Sequence, residues 1–259
     1  MPELTIVSFN AHGGVRPRPI SLPQPVARRR RPSGGPYGLD RVLIDFVHGH
    51  GADVIVLQES FRPDAAPSVA ESTAPALGMT CVEVPFGRAT LEPWPHLTRE
   101  GVGTKGLAVL TRHPVLAQRV LRVPRVPADP APHRGALALT LDVDGTRLDL
   151  WALHLTSRLP HGPPLQLRWL RPQLPGPEGA VVLVGDFNFW GPPVARLLPG
   201  WRRTVRGRTW PAHRPHSQID HVLVPDVHGA AGALEVRETA VLDDVGSDHR
   251  PVRVTLHLR

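Results

Sequence analysis

The chain has 259 residues, of which 41% are hydrophobic, which excludes a protein that is disordered along most of its length. Its formal net charge is +7, and Lys105 is the only lysine, so arginine supplies nearly all of the positive charge. A polyanionic partner such as nucleic acid would explain that charge, and so would the arginine- and proline-rich composition that GC-rich codons produce.

Several features of secreted and membrane proteins are missing from the sequence. Cys81 is the only cysteine, so no internal disulfide can form, which fits a reducing compartment. No run approaches the roughly 18 apolar residues that a membrane span needs, and the first residues do not have the pattern of a secretory leader. We therefore expect a cytoplasmic protein with no membrane span and no obligate protein partner.

Predicted strands outnumber predicted helices. Short apolar runs predict strands at residues 4–8, 53–57, 80–84, 107–111, 136–143, 148–153, 180–184, 219–224 and 252–257. Apolar residues at helical spacing predict helices at 39–48, 165–171 and 194–198. Because helices and strands do not alternate, two packed sheets with a few flanking helices are favoured over a βα barrel or a doubly wound sheet. We predict a single domain over residues 1–259.

Six of the predicted strands carry polar residues of a catalytic type at one end. These residues are Asn10, Glu59, His154, Asp186, Asn188, Asp220, Asp248 and His249. Taken singly, each could be a turn, capping or sheet-edge residue. If the six strand ends converge, however, they form one acidic pocket that is surrounded by amides and imidazoles.

Such a pocket suits phosphoester chemistry. Carboxylate and amide oxygens favour a hard ion such as Mg²⁺, which can neutralise a phosphate and stabilise charge on the leaving oxygen. A histidine that is held by an aspartate can act as an acid or base, or can stabilise charge that develops on the phosphate. The sequence therefore predicts a magnesium-dependent phosphoester hydrolase.

The ordered series of motifs resembles the endonuclease/exonuclease/phosphatase superfamily, which includes deoxyribonuclease I and exonuclease III. The matching pieces are Asn10, Gln58-Glu59, GDFN at 185–188, IDH at 219–221 and SDH at 247–249. This resemblance covers nearly the whole chain. It implies a four-layer α/β/β/α sandwich with the site at one end of the two sheets.

The resemblance also implies a metal site. Glu59 and Asp248 would bind the cofactor, which would be Mg²⁺ or alternatively Mn²⁺. Asp186 would position or deprotonate the attacking water.

The remaining residues are implied to act on the phosphate. Asn10 and Asn188 would help to hold it and to orient their neighbours. Asp220 would orient His249, which would contact the scissile phosphate. His154 is similar to the second histidine of deoxyribonuclease-like members.

Two departures disfavour an abasic-site endonuclease. His12 stands two residues after Asn10, where those enzymes usually carry an aspartate. They also use a tyrosine in the middle of the chain, but the only tyrosine here is Tyr37, and His154 stands at the strand end where that tyrosine would be sought.

Three further features leave the prediction of function open. Residues 16–36 form a long proline- and arginine-rich loop with four successive arginines at 28–31. The tryptophans at 190, 201 and 210 could stack on a base or sugar, although packing in the core or at its rim is the simpler role. The G-x-G-x-x-G match at 101–106 precedes a strand and does not link a strand to a helix, which excludes a dinucleotide loop. The resemblance implies a glycine-rich turn before that strand.

Phosphodiester hydrolysis is the leading hypothesis for the function, with DNA or RNA as the first substrate to consider. A phosphatase or phosphodiesterase for a small molecule or lipid headgroup is the alternative enzyme class, because substrate choice in this fold lies in its loops. A binding protein that has lost the chemistry is the non-enzymatic alternative, and the intact set of acids, amides and histidines argues against it.

Overall fold

The protein is a sandwich of two six-stranded sheets in the computed structural model, which describes residues 2–16, 37–91, 102–127, 129, 134–158, 160–176, 178–227 and 232–259. The arginines at 28–31 lie outside these residues. Within the described residues, no helix is both long and apolar enough to cross a membrane.

The first sheet has the strand order β11-β12-β1-β2-β4-β3. Its strands in chain order are β1 (Glu3–Asn10), β2 (Val54–Pro63), β3 (Thr80–Thr90), β4 (Val102–Thr111), β11 (Leu234–Val241) and β12 (Val252–Leu258). β1 runs parallel to β2 and antiparallel to β12, so the end of β1, the end of β2 and the turn before β12 lie at the same edge.

The second sheet has the order β5-β6-β7-β8-β10-β9. Its strands are β5 (Val115–Arg122), β6 (Gly135–Val143), β7 (Thr146–His154), β8 (Val181–Asp186), β9 (Trp201–Arg203) and β10 (Asp220–Pro225). β7 is parallel to β8, and β10 is antiparallel to β8, so the ends of β7 and β8 meet the start of β10.

Three hydrophobic clusters hold four layers together. The central cluster lies between the sheets and includes Leu4, Val56, Leu139 and Val184. Outside the first sheet, α1 (Leu39–His48) and α2 (Val69–Thr73) cover a second cluster; outside the second sheet, α3 (Gly162–Leu170) and α4 (Gly191–Leu197) cover a third. This arrangement confirms the predicted α/β/β/α sandwich.

The structure adds strands that the sequence patterns did not predict. β5 lies at the edge of its sheet with most of its side chains exposed, including Leu116 and Val120, so it shows no buried face in the sequence. β11 also lies at an edge and is only partly buried, and β9 has three residues. Edge strands lack the apolar alternation on which the prediction depended.

The prediction of a glycine-rich turn before residue 107 is wrong. Gly103 and Gly106 lie inside β4, which begins at Val102. A Cβ atom would lie 2.0 Å from the Arg62 carbonyl oxygen at Gly103 and 1.9 Å from the Val84 carbonyl oxygen at Gly106. These glycines therefore permit close approach of neighbouring strands rather than a turn.

Candidate active site

Hydrogen-bond register brings the predicted strand ends together. Asn10 pairs with Gln58 at the end of the first sheet, while His154, Asp186 and Asp220 are neighbours across three strands of the second. The Asn10 amide donates to Asp186 Oδ2 at 3.0 Å, which joins the two sheets at this end. The pocket thus lies across the open end of the sandwich.

Glu59 is directed into the pocket by an irregularity in β2. The register between β2 and β4 shifts between Gln58 and Ser60, so Glu59 is the extra residue of a β-bulge. Its φ angle of 53° is in the left-handed region, which a non-glycine residue rarely adopts without support from its surroundings. Because of the bulge, Glu59 does not follow the alternation of side chains between the two faces of β2.

Basic side chains surround the Glu59 carboxylate. Lys105 Nζ donates to Oε2 at 2.7 Å, and Arg134 Nη1 lies 3.6 Å from Oε1. His154 Nε2 lies 4.0 Å from Oε1, and His12 Nδ1 lies 3.9 Å from Oε2. Burial opposes ionisation, but the positive charges of Lys105 and Arg134 outweigh it and hold the pKa of Glu59 well below its usual range. Glu59 is therefore ionised at neutral pH.

Amides surround the Asp186 carboxylate. Asn10 Nδ2 and Asn188 Nδ2 donate to Oδ2 at 3.0 and 3.1 Å, and the Asn188 backbone N–H donates to Oδ1 at 2.8 Å. Asn188 also has a positive φ of 49° and donates its Nδ2 to the Leu155 carbonyl. Burial raises the pKa of Asp186 above its usual range, and the neighbouring Asp220 adds to this effect. Asp186 is suited to gain and lose a proton near neutral pH.

Asp220 and His249 form a buried pair beside Asp186. His249 Nδ1 donates to Asp220 Oδ2 at 2.9 Å, and His249 Nε2 lies 3.9 Å from Asp186 Oδ2. Burial disfavours the charged imidazole, but Asp220 and Asp186 outweigh it and raise the pKa of His249 to about 10. His249 is accordingly an imidazolium at neutral pH, with one carboxylate on each side.

Asp248 lies on the same side of the pocket as Glu59. His12 Nδ1 is 3.5 Å from Asp248 Oδ1 and 3.9 Å from Glu59 Oε2, so one imidazole nitrogen faces both carboxylates. The turn that carries Asp248 is anchored to β1, because Ser247 Oγ donates to the Asn10 carbonyl at 2.7 Å. The carboxylates of Glu59 and Asp248 therefore converge from two different elements.

His154 ends β7 and contacts both sides of the pocket. Its Nε2 lies 3.5 Å from Asp186 Oδ2, and Arg134 Nη1 lies within hydrogen-bond distance of both ring nitrogens, at 2.7 and 3.0 Å. Burial, reinforced by Arg134, lowers the pKa of His154 well below its usual range. This histidine is neutral where His249 is charged.

The structure brings all eight sequence-predicted side chains into one pocket and adds His12, Lys105 and Arg134, which the sequence does not predict as site residues. Lys105 lies 46 residues from Glu59, so no local motif connects them. Lys105 and Arg134 reach the site only because β4 pairs with β2 and β6 pairs with β7, and this pairing is not visible in the sequence.

Two sets of side chains could hold a divalent cation. Asp186, Asp220 and His249 each offer a ligand atom within 4.8 Å of the others, but the His249 imidazolium is bound to Asp220 and has no free lone pair in that state. Glu59 and Asp248 offer only carboxylate oxygens on one side of the pocket, which is the donor chemistry that Mg²⁺ and Mn²⁺ prefer. The residues fit such an ion.

Comparisons with known proteins agree with this geometry. A profile of the Endonuclease/Exonuclease/phosphatase family matches residues 7–249. No curated protein matches the chain in sequence.

Solved structures share the fold at low sequence identity. An endonuclease/exonuclease/phosphatase from Beutenbergia cavernae is 22% identical with a TM-score of 0.71, over 100% of this chain and 72% of that one. A mannosyl-6-phosphatase from Bacteroides thetaiotaomicron is 16% identical with a TM-score of 0.69, over 98% and 100%. The D. rerio TDP2 complexed with single-strand DNA product is 19% identical with a TM-score of 0.66, over 98% and 99%. With the family profile covering nearly its whole length, the chain belongs to the Endonuclease/Exonuclease/phosphatase family.

Proposed function

We propose that this protein is a metal-dependent phosphodiesterase that cleaves nucleic acid, in a family whose members are phosphoester hydrolases. The observation that carries the proposal is the contrast between the buried carboxylates of Glu59 and Asp186. One is held charged by basic groups, and the other has a raised pKa and is oriented by amides. A charged ligand and a proton acceptor are the two functions that metal-assisted hydrolysis requires.

Glu59 and Asp248 would hold Mg²⁺ or Mn²⁺ through their carboxylate oxygens. When it is bound, the ion would neutralise the phosphate and stabilise the charge on the leaving oxygen. The low pKa of Glu59 keeps this carboxylate deprotonated at neutral pH.

Asp186 would orient the attacking water and accept its proton. Asn10 and Asn188 donate to this carboxylate, so in this structure their amides fix its direction. A carboxylate with a raised pKa accepts a proton more readily than a surface aspartate does. These contacts support a general-base role for Asp186.

His249 would contact the scissile phosphate. Its Nδ1 is bound to Asp220, which leaves Nε2–H to donate to a phosphate oxygen. Because the imidazolium is charged, this bond would strengthen as negative charge grows in the transition state. His154, which is neutral and held by Arg134, would take a second position on the phosphate.

A small phosphomonoester is the second candidate substrate. Lys105 and Arg134 both approach Glu59 and are mostly buried, which supplies two cations for a dianionic group. The mannosyl-6-phosphatase with the same fold acts on a monoester of this class. The diester is preferred because the TDP2 structure binds single-strand DNA product on the same fold and because of the basic segment described below.

A substrate panel tests the proposal. DNA, RNA, nucleotides, small monoesters and phospholipids are incubated with the protein in Mg²⁺ and in excess chelator, with Asp186→Asn as the matched inactive variant. Release of product from a polynucleotide that requires Mg²⁺ and is lost in Asp186→Asn supports the proposal. Activity on monoesters alone would replace it with the second candidate, and full activity in chelator would contradict the metal role.

A further inference from the structure

The connection between β8 and β10 has an unusual charge composition. Residues 187–219 contain six arginines, whereas all 23 acidic residues of the chain lie elsewhere. At the chain's average of 23 acidic residues in 259, a segment of this length would hold about three. An arginine-rich composition explains the arginines of this segment but does not explain why acidic residues are excluded from it. The segment begins directly after Asp186 and ends directly before Asp220, so both of its ends are in the site.

The second half of this segment lies against the turn that carries Asp248 and His249. Thr209 Oγ1 accepts from the Asp220 backbone N–H at 3.3 Å, and the Arg250 backbone N–H donates to the Thr209 carbonyl at 2.8 Å. The Ala212 backbone N–H donates to the Asp248 carbonyl at 2.7 Å. The loop formed by residues 206–217 is thus fixed beside the open end of the sandwich.

Three arginines of this loop are exposed and lack acidic partners. Arg206, Arg208 and Arg214 have no carboxylate of a described residue within 4.0 Å, unlike Arg88, which pairs with Asp64.

Positive charge is also crowded behind the loop. Arg203 donates its Nη1 to the neutral Gln218 at 3.1 Å. Burial, together with the charge of Arg206, lowers the pKa of Arg203. This repulsion between like charges would be relieved by an anion.

An exposed aromatic side chain lies at the other end of the segment. Trp190 follows Asn188 by two residues and is 45% exposed, while its ring rests on Phe189 with the centroids 5.5 Å apart. The other two tryptophans of the segment are occupied, because Trp201 is buried and Trp210 packs edge-on against His216. Trp190 therefore has the ring that is free to stack on a ligand.

We propose that Trp190, Arg206, Arg208 and Arg214 form a docking surface for single-stranded nucleic acid that leads the strand into the active site. Arginines that follow a phosphate backbone, beside an aromatic ring on which a base stacks, are the usual elements of single-strand binding. A single strand is specified because paired bases in a duplex do not offer their faces to Trp190. This inference rests on the proposed nuclease function and identifies the substrate more closely.

The role of the three arginines in the proposed docking surface is tested by the salt dependence of binding. Anisotropy of a fluorescein-labelled oligothymidylate is measured over a range of salt concentrations, in chelator so that no turnover occurs. The triple variant R206S/R208S/R214S should bind more weakly and should reduce the log–log salt slope by about 2, from roughly 0.7 for each lost single-strand contact. The matched control is R119S/R168S/R171S, which removes three exposed arginines that also lack acidic partners among the described residues.

The control arginines lie away from the pocket. α3 starts after the site end of β7 and leads to the start of β8 at the opposite end of the sheet, so Arg168 and Arg171 lie towards that opposite end. Arg119 is on the edge strand β5. The control should therefore leave the salt slope and the turnover unchanged. Equal slopes in the two triple variants would overturn the role of the three arginines.

The stacking part is tested with a pair of tryptophans. Trp190→Ala should weaken oligothymidylate binding roughly 5- to 150-fold, the range measured for one stacked base, without changing the salt slope. Trp169→Ala is the control, because Trp169 is 37% exposed near the far end of α3. Equal losses in both variants, or a duplex that binds as tightly as the single strand, would overturn the single-strand assignment.

Failure of this inference is distinguishable from failure of the proposed function. Hydrolysis of bis(p-nitrophenyl) phosphate by the wild-type protein in Mg²⁺ reports diester chemistry without a strand. If the wild type cleaves this diester and both variant pairs behave alike, the docking surface is wrong and the phosphodiesterase proposal stands. If it cleaves neither this diester nor any polynucleotide, the proposed function itself fails.

Discussion

Glu59 and Asp186 are buried carboxylates at the same end of one sandwich, but their surroundings drive their pKa values in opposite directions. Lys105 and Arg134 hold the Glu59 carboxyl ionised, whereas burial and Asp220 raise the pKa of Asp186. The difference follows from the partners that each carboxylate has, because one accepts from charged donors and the other from amides. Environment, rather than residue type, therefore assigns different chemical roles to the two acids.

His154 connects these two regions. Its Nε2 lies 4.0 Å from Glu59 and 3.5 Å from Asp186, and burial, reinforced by Arg134, keeps it neutral. A charged imidazole at this position would stabilise both carboxylates and reduce the difference between them. The neutral state of His154 therefore preserves the contrast between an ionised Glu59 and an Asp186 with a raised pKa.

Replacing Glu59 by glutamine removes its negative charge and should have the largest effect on activity. An amide cannot supply the negative charge that holds a divalent cation, so we expect kcat/KM to fall on the order of 10³-fold or more, the scale of several kcal/mol of lost charge stabilisation. The control is Glu71→Gln, which removes a carboxylate paired to Arg62 outside the site. Thermal unfolding of both variants checks that the fold survives, and full activity in Glu59→Gln would contradict the metal assignment.

Replacing His249 or Asp220, on the other side of the pocket, should have the next largest effect on activity. His249→Ala and Asp220→Asn should each lower kcat on the order of 10²-fold, as expected for a positioned acid–base group. Because Asp220 acts through His249, the double variant should be little worse than either single variant. Multiplicative losses in the double variant would show that the two residues act independently.

A smaller effect is expected from Lys105, which would compete with the proposed metal for Glu59. Its Nζ lies 2.7 Å from Glu59 Oε2, so a cation bound there must share that oxygen or displace the ammonium. Lys105→Met should therefore lower the Mg²⁺ concentration that gives half-maximal activity by a few-fold, while Lys105→Arg, which keeps the charge, should not. A higher Mg²⁺ requirement in Lys105→Met would mean that Lys105 helps to hold the site together instead.

The layers of the fold and the acidic part of the site were predictable from sequence, while the basic part was not. β8 is a nearly continuous apolar run and β1 is a mostly apolar one, and both stop at a polar residue, which is a local signal. Lys105 and Arg134 reach Glu59 only through strand pairing, and β5 has no buried face to produce a pattern. Contacts of this kind depend on the order of strands in the sheets, which a single sequence does not specify.

The last prediction concerns stability and not turnover. It involves His221, a buried histidine that follows Asp220 in the sequence. Its Nε2–H donates to the Phe189 carbonyl at 2.9 Å, and its Nδ1 is buried without a hydrogen-bond partner. Burial lowers the pKa of His221 to about 4, which is the opposite of the shift at His249. Unlike His249, this imidazole has no carboxylate bound to either nitrogen, so protonation would leave a buried charge without a partner.

The sign of the resulting pH dependence follows from this lowered pKa. The unfolded chain binds a proton at about pH 6.5 and the folded chain only at about pH 4, so the stability from neutral His221 is fully present above pH 6.5 and is lost as the pH falls through 4. His221→Gln keeps a donor for Phe189 but cannot be protonated. The difference in unfolding free energy between wild type and variant should shrink by up to about 3 kcal/mol from pH 7 to pH 4. Urea denaturation of both proteins across this range measures the difference, and a gap that stays constant with pH would show that His221 is not buried in its neutral form.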